Sequence, residues 1–205
     1  MRAYLVSIIM ISTILCSGCL GLVAQREIME SWREDPNVIY KEVTVGWSET
    51  FETNVDFENI TGSVIYQNET ELSLDDTVST LEVQFRAQLP YSSLIEETFG
   101  NDTNEVRYIE ARLWEPGAKA AGGNPFWEVR ATQDYPLERL EWRSSELING
   151  VWILEVEARG YGLTAPIEQF SFYDHFDLYA TITKPCVRFA ASHEIGECAF
   201  LSDLN

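Results

Sequence analysis

A period-two alternation of apolar and polar residues is the feature that most constrains this chain. Val43, Val45 and Trp47 are separated by polar residues or glycine, so they would lie on one face of an extended segment. Successive side chains of a β-strand point to opposite faces, whereas a helix would need a period near 3.6. The pattern predicts a strand that buries one face.

The same alternation recurs along the chain with turn residues between the segments. It predicts further strands at Ile60–Tyr66, Val78–Ala87, Val106–Trp114, Phe126–Thr132, Val151–Ala158 and Phe176–Thr183. The inward residues are predicted to be Leu81, Val83 and Phe85 in one strand and Ile109, Ala111 and Leu113 in another. At least seven strands predict an all-β fold: a single antiparallel β-sandwich, immunoglobulin-like or jelly-roll-like.

Three segments depart from the strand pattern. Ser93 and Glu96 have capping-box spacing before Gly100, which predicts one short helix. Gln25–Asp35 has apolar residues at helical spacing and is followed by proline, which predicts a short helix or spacer. Glu115–Pro125 is rich in glycine and proline and is predicted to be a long loop between two strands.

The N-terminus has the plan of a secretory signal. Arg2 precedes the apolar run Ala3–Leu15, and small residues follow. The stretch Cys16-Ser17-Gly18-Cys19 resembles the lipobox of exported lipoproteins, with Cys16 where that family usually carries an aliphatic residue. The resemblance implies that Cys19 is lipidated and becomes the mature N-terminus. The expected organisation is a signal peptide at 1–18, an anchor and spacer at 19–37 and a sandwich domain at 38–205.

Two other interpretations of the N-terminus stay open. The apolar character continues through Leu20–Ala24, so an uncleaved helix could anchor the chain in a bilayer. Simple secretion after cleavage is the third. All three place the folded domain outside the cytoplasm, and the first two hold it at the cell surface with the membrane as partner.

The charge of the mature chain excludes one class of partner. Removing residues 1–18 leaves 13 Lys and Arg against 33 Asp and Glu, a formal charge of −20. Such a surface repels nucleic-acid phosphates, so we expect no nucleic-acid partner. Self-repulsion of this size also predicts that salt stabilises the fold.

Two cysteines remain once the signal and anchor are set aside. Cys186 and Cys198 form an even pair in an oxidising compartment, which predicts a disulfide that holds the C-terminal tail against the final strand. His193 lies between them, so a metal site and free thiols are the alternatives. We expect His193 to be an exposed loop residue and His175 to be a structural histidine.

Oxygen-rich loops are candidates for calcium, the one cofactor that the sequence suggests. The stretch 101–105 groups Asn101, Asp102, Asn104 and Glu105 in one loop, and Asp174 with Asp177 groups two carboxylates in another. Neither matches an EF-hand, and an ordinary Asx-rich turn is the alternative. Three Asn-x-Thr sequons mark possible glycosylation in solvent-facing loops, at Asn59, Asn68 and Asn101.

Exposed aromatic residues would be the sequence signature of a binding surface. Trp47, Trp114 and Trp152 lie in alternating strands and are predicted to be core anchors. Trp127 and Trp142 lie in less regular segments beside charged residues. They are therefore the candidates for ligand contact.

A catalytic motif is missing from the sequence: there is no G-x-S-x-G, S-x-x-K, H-E-x-x-H or Walker-type loop. The stretch from Asn149-Gly150 through Gly160-Tyr161-Gly162 to the strand Phe176–Thr183 resembles the terminal hairpin of extracellular β-sandwich modules. We expect a surface-tethered, non-enzymatic lipoprotein module that binds a protein, a glycan or a cation. An architectural envelope component and a small extracellular hydrolase are the alternatives.

Overall fold

The computed structural model describes residues 22–23, 25–32, 34–52, 64–93, 97, 107–164, 171–189, 194 and 197–204. Two compact units are distinguished along the chain. One is Tyr40–Pro185, and the other combines residues 1–39 with Cys186–Leu204.

Strands dominate this part of the chain. In chain order they are β1 (Asn37–Thr50), β2 (Val64–Leu74), β3 (Thr80–Gln88), β4 (Tyr108–Trp114), β5 (Trp127–Ala131), β6 (Tyr135–Arg143), β7 (Gly150–Gly160), β8 (Gly162–Leu163), β9 (Phe172–Tyr173), β10 (His175–Arg188) and β11 (Ala199–Phe200). Short 3-10 helices occupy Ser144–Glu146 and Leu201–Leu204.

The long strands form two sheets with interleaved order. One sheet runs β1-β10-β3-β6, with β11 added beside β10, and the other runs β2-β7-β4-β5. The pairings with known register are antiparallel. With eight long strands shared equally between two antiparallel sheets, the sandwich has the jelly-roll arrangement, one of the two types predicted. A two-stranded ribbon, β8-β9, lies in the connection between β7 and β10.

The core lies between the sheets and follows the predicted alternation. Leu81, Val83 and Phe85 of β3 are buried, as predicted, and so are the three predicted residues of β4. Trp152 is fully buried, and Trp47 packs partly buried against the same cluster. The prediction of Trp114 as a core anchor is wrong, because its partly buried ring is not part of this cluster and its Nε1 donates to Glu155 Oε2 at 2.8 Å. Each large apolar side chain removed from water contributes about 1.5–3 kcal/mol, so these inward rows are the main stabilising element.

Several strand limits differ from the prediction. β10 was expected to end before Lys184-Pro185, yet it continues to Arg188, because Cys186 and Val187 pair with β11. β2 extends past Tyr66 to Leu74. β6 was not predicted as a strand. Its Pro136 lies next to the strand's first residue in an edge strand, where a missing N–H is tolerated.

The predicted helices are described only in part. Residues 25–31 are helical, in agreement with the predicted juxtamembrane helix, and Arg26 pairs with Glu30 one turn on. Residues 92–93 and 97 are helical, while Glu96 and Gly100 lie outside the described residues. Among the helices that the structure describes, none is both long and apolar enough to span a bilayer.

The predicted disulfide is present in the terminal unit. Cys186 and Cys198 are bridged, with Cα atoms 5.7 Å apart. Cys186 also lies opposite Phe200 in the β10–β11 pair. The C-terminal tail is therefore held to β10 by a covalent bond and by a short strand, as the sequence predicted. Cys19 and His193 lie outside the described residues.

Candidate functional site

A buried ion pair organises the end of the sandwich where β1 ends and β10 begins. Arg107 donates from Nε to Asp174 Oδ2 at 2.9 Å and from Nη2 to Oδ1 at 2.5 Å. The side chains are 3% and 0% exposed. Burial raises the pKa of Asp174, and the hydrogen bonds from Arg107 act in the opposite direction. Burying such a pair costs least when its remaining polar atoms are also satisfied, and here one of them, Arg107 Nη1, has no hydrogen-bond partner in the described part of the chain.

Backbone groups satisfy most of the remaining hydrogen-bonding capacity. The Asp174 carboxylate also accepts from the Tyr161 N–H at 2.8 Å, and Arg107 Nη2 donates to the Pro90 carbonyl at 2.7 Å. The Asp174 carbonyl accepts from the Phe51 N–H at 2.8 Å, and its N–H donates to the Tyr161 carbonyl at 2.9 Å. The ion pair and these backbone hydrogen bonds thus fix five separate stretches of chain relative to one another.

Glycine lets these stretches approach closely. A Cβ atom on Gly162 would lie 1.9 Å from the Phe51 carbonyl oxygen, and one on Gly160 would lie 2.4 Å from the Phe51 ring. Both distances are far below van der Waals contact, so a side chain at either position would displace the end of β1. The two glycines of the Gly160-Tyr161-Gly162 stretch therefore allow the chain to pack closely against Phe51.

A cavity of about 400 Å³ opens above this framework, and we call it the hydroxyl cavity. The described residues that line it are Thr50, Glu52, Thr164 and Tyr173. The Thr164 and Tyr173 hydroxyls lie 2.7 Å apart and share a hydrogen bond. The Glu52 carboxylate is exposed and makes no hydrogen bond or ion pair with another residue of the described chain.

His175 extends the polar group along the outer face of the first sheet. Its Nδ1 lies 2.8 Å from Thr50 Oγ1, and its Nε2 lies 3.2 Å from Asp177 Oδ2. Antiparallel pairing of β1 with β10 brings the last residue of one strand beside the first residue of the other. His175 is therefore a partnered histidine, as expected, and its partner Thr50 also lines the hydroxyl cavity.

Aromatic side chains lie close to the cavity. Tyr91 is 49% exposed, has a left-handed backbone (φ 60°) and packs edge-on against Phe172 with ring centroids 5.8 Å apart. The Arg107 guanidinium lies 5.8 Å from the Phe172 ring centroid. Tyr173, a cavity residue, is 39% exposed. Two tyrosine rings are therefore accessible to solvent at this end of the sandwich.

A second cavity of about 410 Å³ lies at the opposite end, and we call it the apolar cavity. Its lining includes Leu74, Val78, Leu147, Ile148, Asp75 and Asp76. The Asp75 carboxylate accepts from Lys184 Nζ at 2.8 Å, from the Thr77 N–H at 2.9 Å and from the Thr77 hydroxyl. Burial raises the pKa of Asp75, but these hydrogen bonds outweigh it and leave the pKa lowered.

The outer face of the second sheet carries a network of ion pairs. Its contacts include Lys119–Glu69 at 2.6 Å, Lys119–Glu155 at 3.0 Å, Arg112–Glu128 at 3.0 Å and Arg130–Glu110 at 3.1 Å. The hydrogen bond from Arg112 lowers the pKa of Glu128, whereas burial raises that of Glu110. Three cationic side chains thus contact four carboxylates, and these ion pairs link neighbouring strands of the sheet.

Solved structures that match this chain include viral proteins. The infectious bursal disease virus VP2 subviral particle matches at 10% identity over 74% of this chain and 33% of that chain, with a TM-score of 0.27. The decameric BFDV capsid protein matches at 6% identity over 74% and 99% of the two chains, with a TM-score of 0.26. This chain thus spans about a third of the VP2 chain. At such identities a likeness concerns the fold alone. No family model and no curated protein matches the chain.

The two tryptophans predicted to contact a ligand lie away from the hydroxyl cavity. Trp127 is partly buried and packs edge-on against Phe85, with centroids 6.4 Å apart. Trp142 is partly buried and packs against Phe126 at 5.3 Å. Both rings pack against the hydrophobic core. Ligand contact through their remaining exposed edges stays a prediction.

The other predicted sites are only partly described. Asp174 and Asp177 do not share a site, because the first is buried against Arg107 and the second lies on the outer face beside His175. Asn68 is exposed in β2, and its Nδ2 donates to the Tyr66 hydroxyl at 3.3 Å. The remaining sequons and the predicted calcium loop lie outside the described residues: Asn59, Asn101, Asp102, Asn104 and Glu105.

Sequence reasoning missed the lining of the hydroxyl cavity. Thr50 and Glu52 follow a strand, Thr164 follows a glycine turn, and Tyr173 precedes the last long strand. No sequence motif contains these four residues, because antiparallel strand pairing and the β8-β9 ribbon bring them together only in the folded chain. The nearest signal was the polar cluster around His175, which the sequence analysis discussed only as a structural or calcium-binding feature.

Proposed function

We propose that this chain is a membrane-tethered, non-enzymatic module that binds a neutral glycan in the hydroxyl cavity. The observation that carries the proposal is the cavity itself, which combines three hydroxyl groups with a carboxylate that has no partner among the described residues, next to the buried Arg107–Asp174 framework. Its volume of about 400 Å³ is within the range of small-molecule sites.

The chemistry of the lining favours a glycan over other ligands. Hydroxyl groups both donate and accept hydrogen bonds, and a carboxylate accepts them, which suits a polyhydroxylated ligand. The exposed ring of Tyr173 offers an amphipathic face beside these groups. Glu52 and the formal charge of −19 for the whole chain disfavour an anion. A calcium ion needs six to eight oxygen ligands, and the described residues contain no group of three or more metal-ligating side chains.

The fold is compatible with this proposal without supporting it independently. Jelly rolls include lectin domains as well as capsid proteins, and function resides in the site rather than in the fold. A purely architectural component would have no use for an open polar cavity. The cavity therefore favours binding over the architectural alternative.

A small hydrolase is the second candidate, favoured by one specific observation. Thr50, His175 and Asp177 form a hydroxyl–imidazole–carboxylate chain with contacts of 2.8 Å and 3.2 Å. This is the order of nucleophile, base and orienting group in acyl transfer. We rank it second because acyl transfer also requires oxyanion donors beside Thr50, whereas binding requires only the groups seen. Covalent labelling of Thr50 by a fluorophosphonate would reverse the ranking.

The binding proposal is tested with the full chain in detergent on an array of neutral and charged oligosaccharides. We expect neutral oligosaccharides to bind, and Glu52→Gln to weaken binding at least roughly 10-fold, because it replaces a hydrogen bond to a charged group. Tyr173→Phe should weaken binding less. Asp76→Asn at the apolar cavity and Tyr179→Phe on the outer sheet face are matched controls. An array without any bound oligosaccharide, or equal losses in the controls, would contradict the proposal.

The tether is a separate part of the proposal. It rests on the apolar run and the Ser17-Gly18-Cys19 junction, which resembles a lipobox. Cys19→Ser should abolish lipid attachment and release the chain from the membrane fraction. Unchanged cleavage and membrane retention in that variant would favour the uncleaved anchor instead.

A further inference from the structure

We propose that His175 sets the hydrogen-bond polarity of Thr50, so that glycan affinity depends on the protonation of His175. This inference rests on the proposed function, since it concerns regulation of the same site. Its physical basis is the chain from Asp177 through His175 to Thr50, whose last member lines the hydroxyl cavity.

The tautomer of neutral His175 follows from which of its neighbours can donate a hydrogen bond. At neutral pH an aspartate carboxylate only accepts, and a lone pair on Nε2 would repel Asp177 Oδ2 at 3.2 Å. The proton of neutral His175 is therefore on Nε2. Nδ1 then carries a lone pair and accepts the hydroxyl proton of Thr50 across 2.8 Å. Thr50 consequently presents only its acceptor capacity to the cavity.

Protonation reverses this arrangement. Both nitrogens of an imidazolium donate, so Nδ1–H donates to Thr50 Oγ1 and the Thr50 hydroxyl proton is released. The released proton can point into the cavity, where the Glu52 carboxylate is an acceptor. Thr50 then changes from an acceptor to a donor. It competes with the ligand for Glu52 and no longer accepts from a ligand hydroxyl.

The elements packed against His175 contribute several charged groups near it. β1 and the residues after it contribute Glu52, β10 itself contributes Asp177, and β3 places Arg86 opposite Asp177. The cross-strand partner of His175 on β3 is the neutral Gln88. Asp174, the preceding residue, is buried and paired with Arg107.

Affinity measurements across pH provide the first test. With the neutral oligosaccharide selected on the array, wild-type affinity should fall roughly 2- to 10-fold from pH 8 to pH 5, equivalent to one neutral hydrogen bond. His175→Gln, which cannot titrate, and Thr50→Val, which has no hydroxyl, should each remove this dependence. Thr44→Val, at the Thr44–Thr181 contact on the same face, should retain it. A flat wild-type profile, or an equal fall in His175→Gln, would overturn the inference.

A ligand-free measurement separates this inference from the proposed function. Two-bond ¹H–¹⁵N NMR spectra of the full chain in detergent report which imidazole nitrogen is protonated. At pH 8 we expect the Nε2–H tautomer for His175, and Asp177→Asn should weaken that preference, because an amide can also donate. An Nδ1–H tautomer in the wild type would overturn the inference even if glycans bind. Absence of glycan binding together with the Nε2–H tautomer would overturn the proposed function and, with it, the predicted pH effect.

Discussion

Two cavities of nearly equal volume lie at opposite ends of the same sandwich, and they differ in the side chains that line them. In the apolar cavity, Asp75 is held by Lys184 and Thr77, while Asp76 is exposed and makes no such contact with a described residue. In the hydroxyl cavity, Glu52 also makes no such contact with any residue in the described ranges. The two ends therefore differ in the three hydroxyl groups that line one cavity and the four apolar side chains that line the other.

The Arg107–Asp174 pair and its backbone hydrogen bonds fix the chain that carries the hydroxyl cavity. The apolar cavity has no equivalent buried pair among the residues that the structure describes. Volume alone therefore does not distinguish the two cavities, whereas the buried ion pair beneath one of them does.

Breaking the buried pair should have the largest effect on the comparison. Asp174→Asn leaves the Arg107 charge buried without a counter-ion, and we expect a loss of about 3–5 kcal/mol in the free energy of unfolding. Urea unfolding followed by tryptophan fluorescence measures this loss. Lys184→Met, which breaks the more exposed pair at the apolar cavity, should cost about 1 kcal/mol or less. Equal losses of unfolding free energy in the two variants would show that the Arg107–Asp174 pair matters no more for stability than the Lys184–Asp75 pair.

A methyl group at Gly162 should disturb the hydroxyl cavity through its backbone. The Cβ of Gly162→Ala would clash with the Phe51 carbonyl, which cannot rotate away, and we expect a loss of about 1–3 kcal/mol. Gly123→Ala is the control at the other end, because its nearest neighbour atom would be 3.3 Å away in a surface loop. Thermal unfolding compares the two. If Gly162→Ala is as mild as the control, the close approach of β8 to β1 is not required.

The contribution of Asp75 to the free energy of unfolding should be lost at acid pH. The pKa of Asp75 is lowered in the folded chain, so its contribution is present above its ordinary value of about 3.9 and is lost as the pH falls through the lowered pKa. Asp75→Asn should cost about 1 kcal/mol at pH 7, and its difference from wild type should shrink below about pH 3.9. Urea unfolding at pH 7, 4 and 3 measures this. Asp76→Asn should change stability by less than about 0.5 kcal/mol throughout.

The sandwich could be predicted from the sequence because its core residues alternate with outward-facing residues along each strand. Leu81, Val83 and Phe85 are recognisable as one buried face from their spacing alone. β6 was missed because Pro136 and the charged residues around Trp142 hide an edge strand that only cross-strand pairing completes. The end of β10 was misplaced because its continuation depends on pairing with β11, which is distant in sequence.

The candidate site was less accessible to prediction for a related reason. Cys186 and Cys198 could be paired from sequence, since they are the two cysteines that lie outside the N-terminal segment. Thr50 and Tyr173 are common residue types, and only the strand order of the folded chain brings them to one cavity. Trp127 and Trp142 drew attention because tryptophan is rare, but rarity also suits a core residue.

The most direct test of the central claim is an NMR titration of the full chain in detergent with the neutral oligosaccharide selected on the array. We predict that backbone amide shifts change at Thr50, Glu52, Thr164 and Tyr173, while amides of the apolar cavity at Leu74, Asp75 and Leu147 stay unchanged. Glu52→Gln should move the same changes to oligosaccharide concentrations at least roughly 10-fold higher. Shift changes confined to the apolar cavity, or to the surroundings of Trp127 and Trp142, would contradict the assignment of the hydroxyl cavity as the binding site.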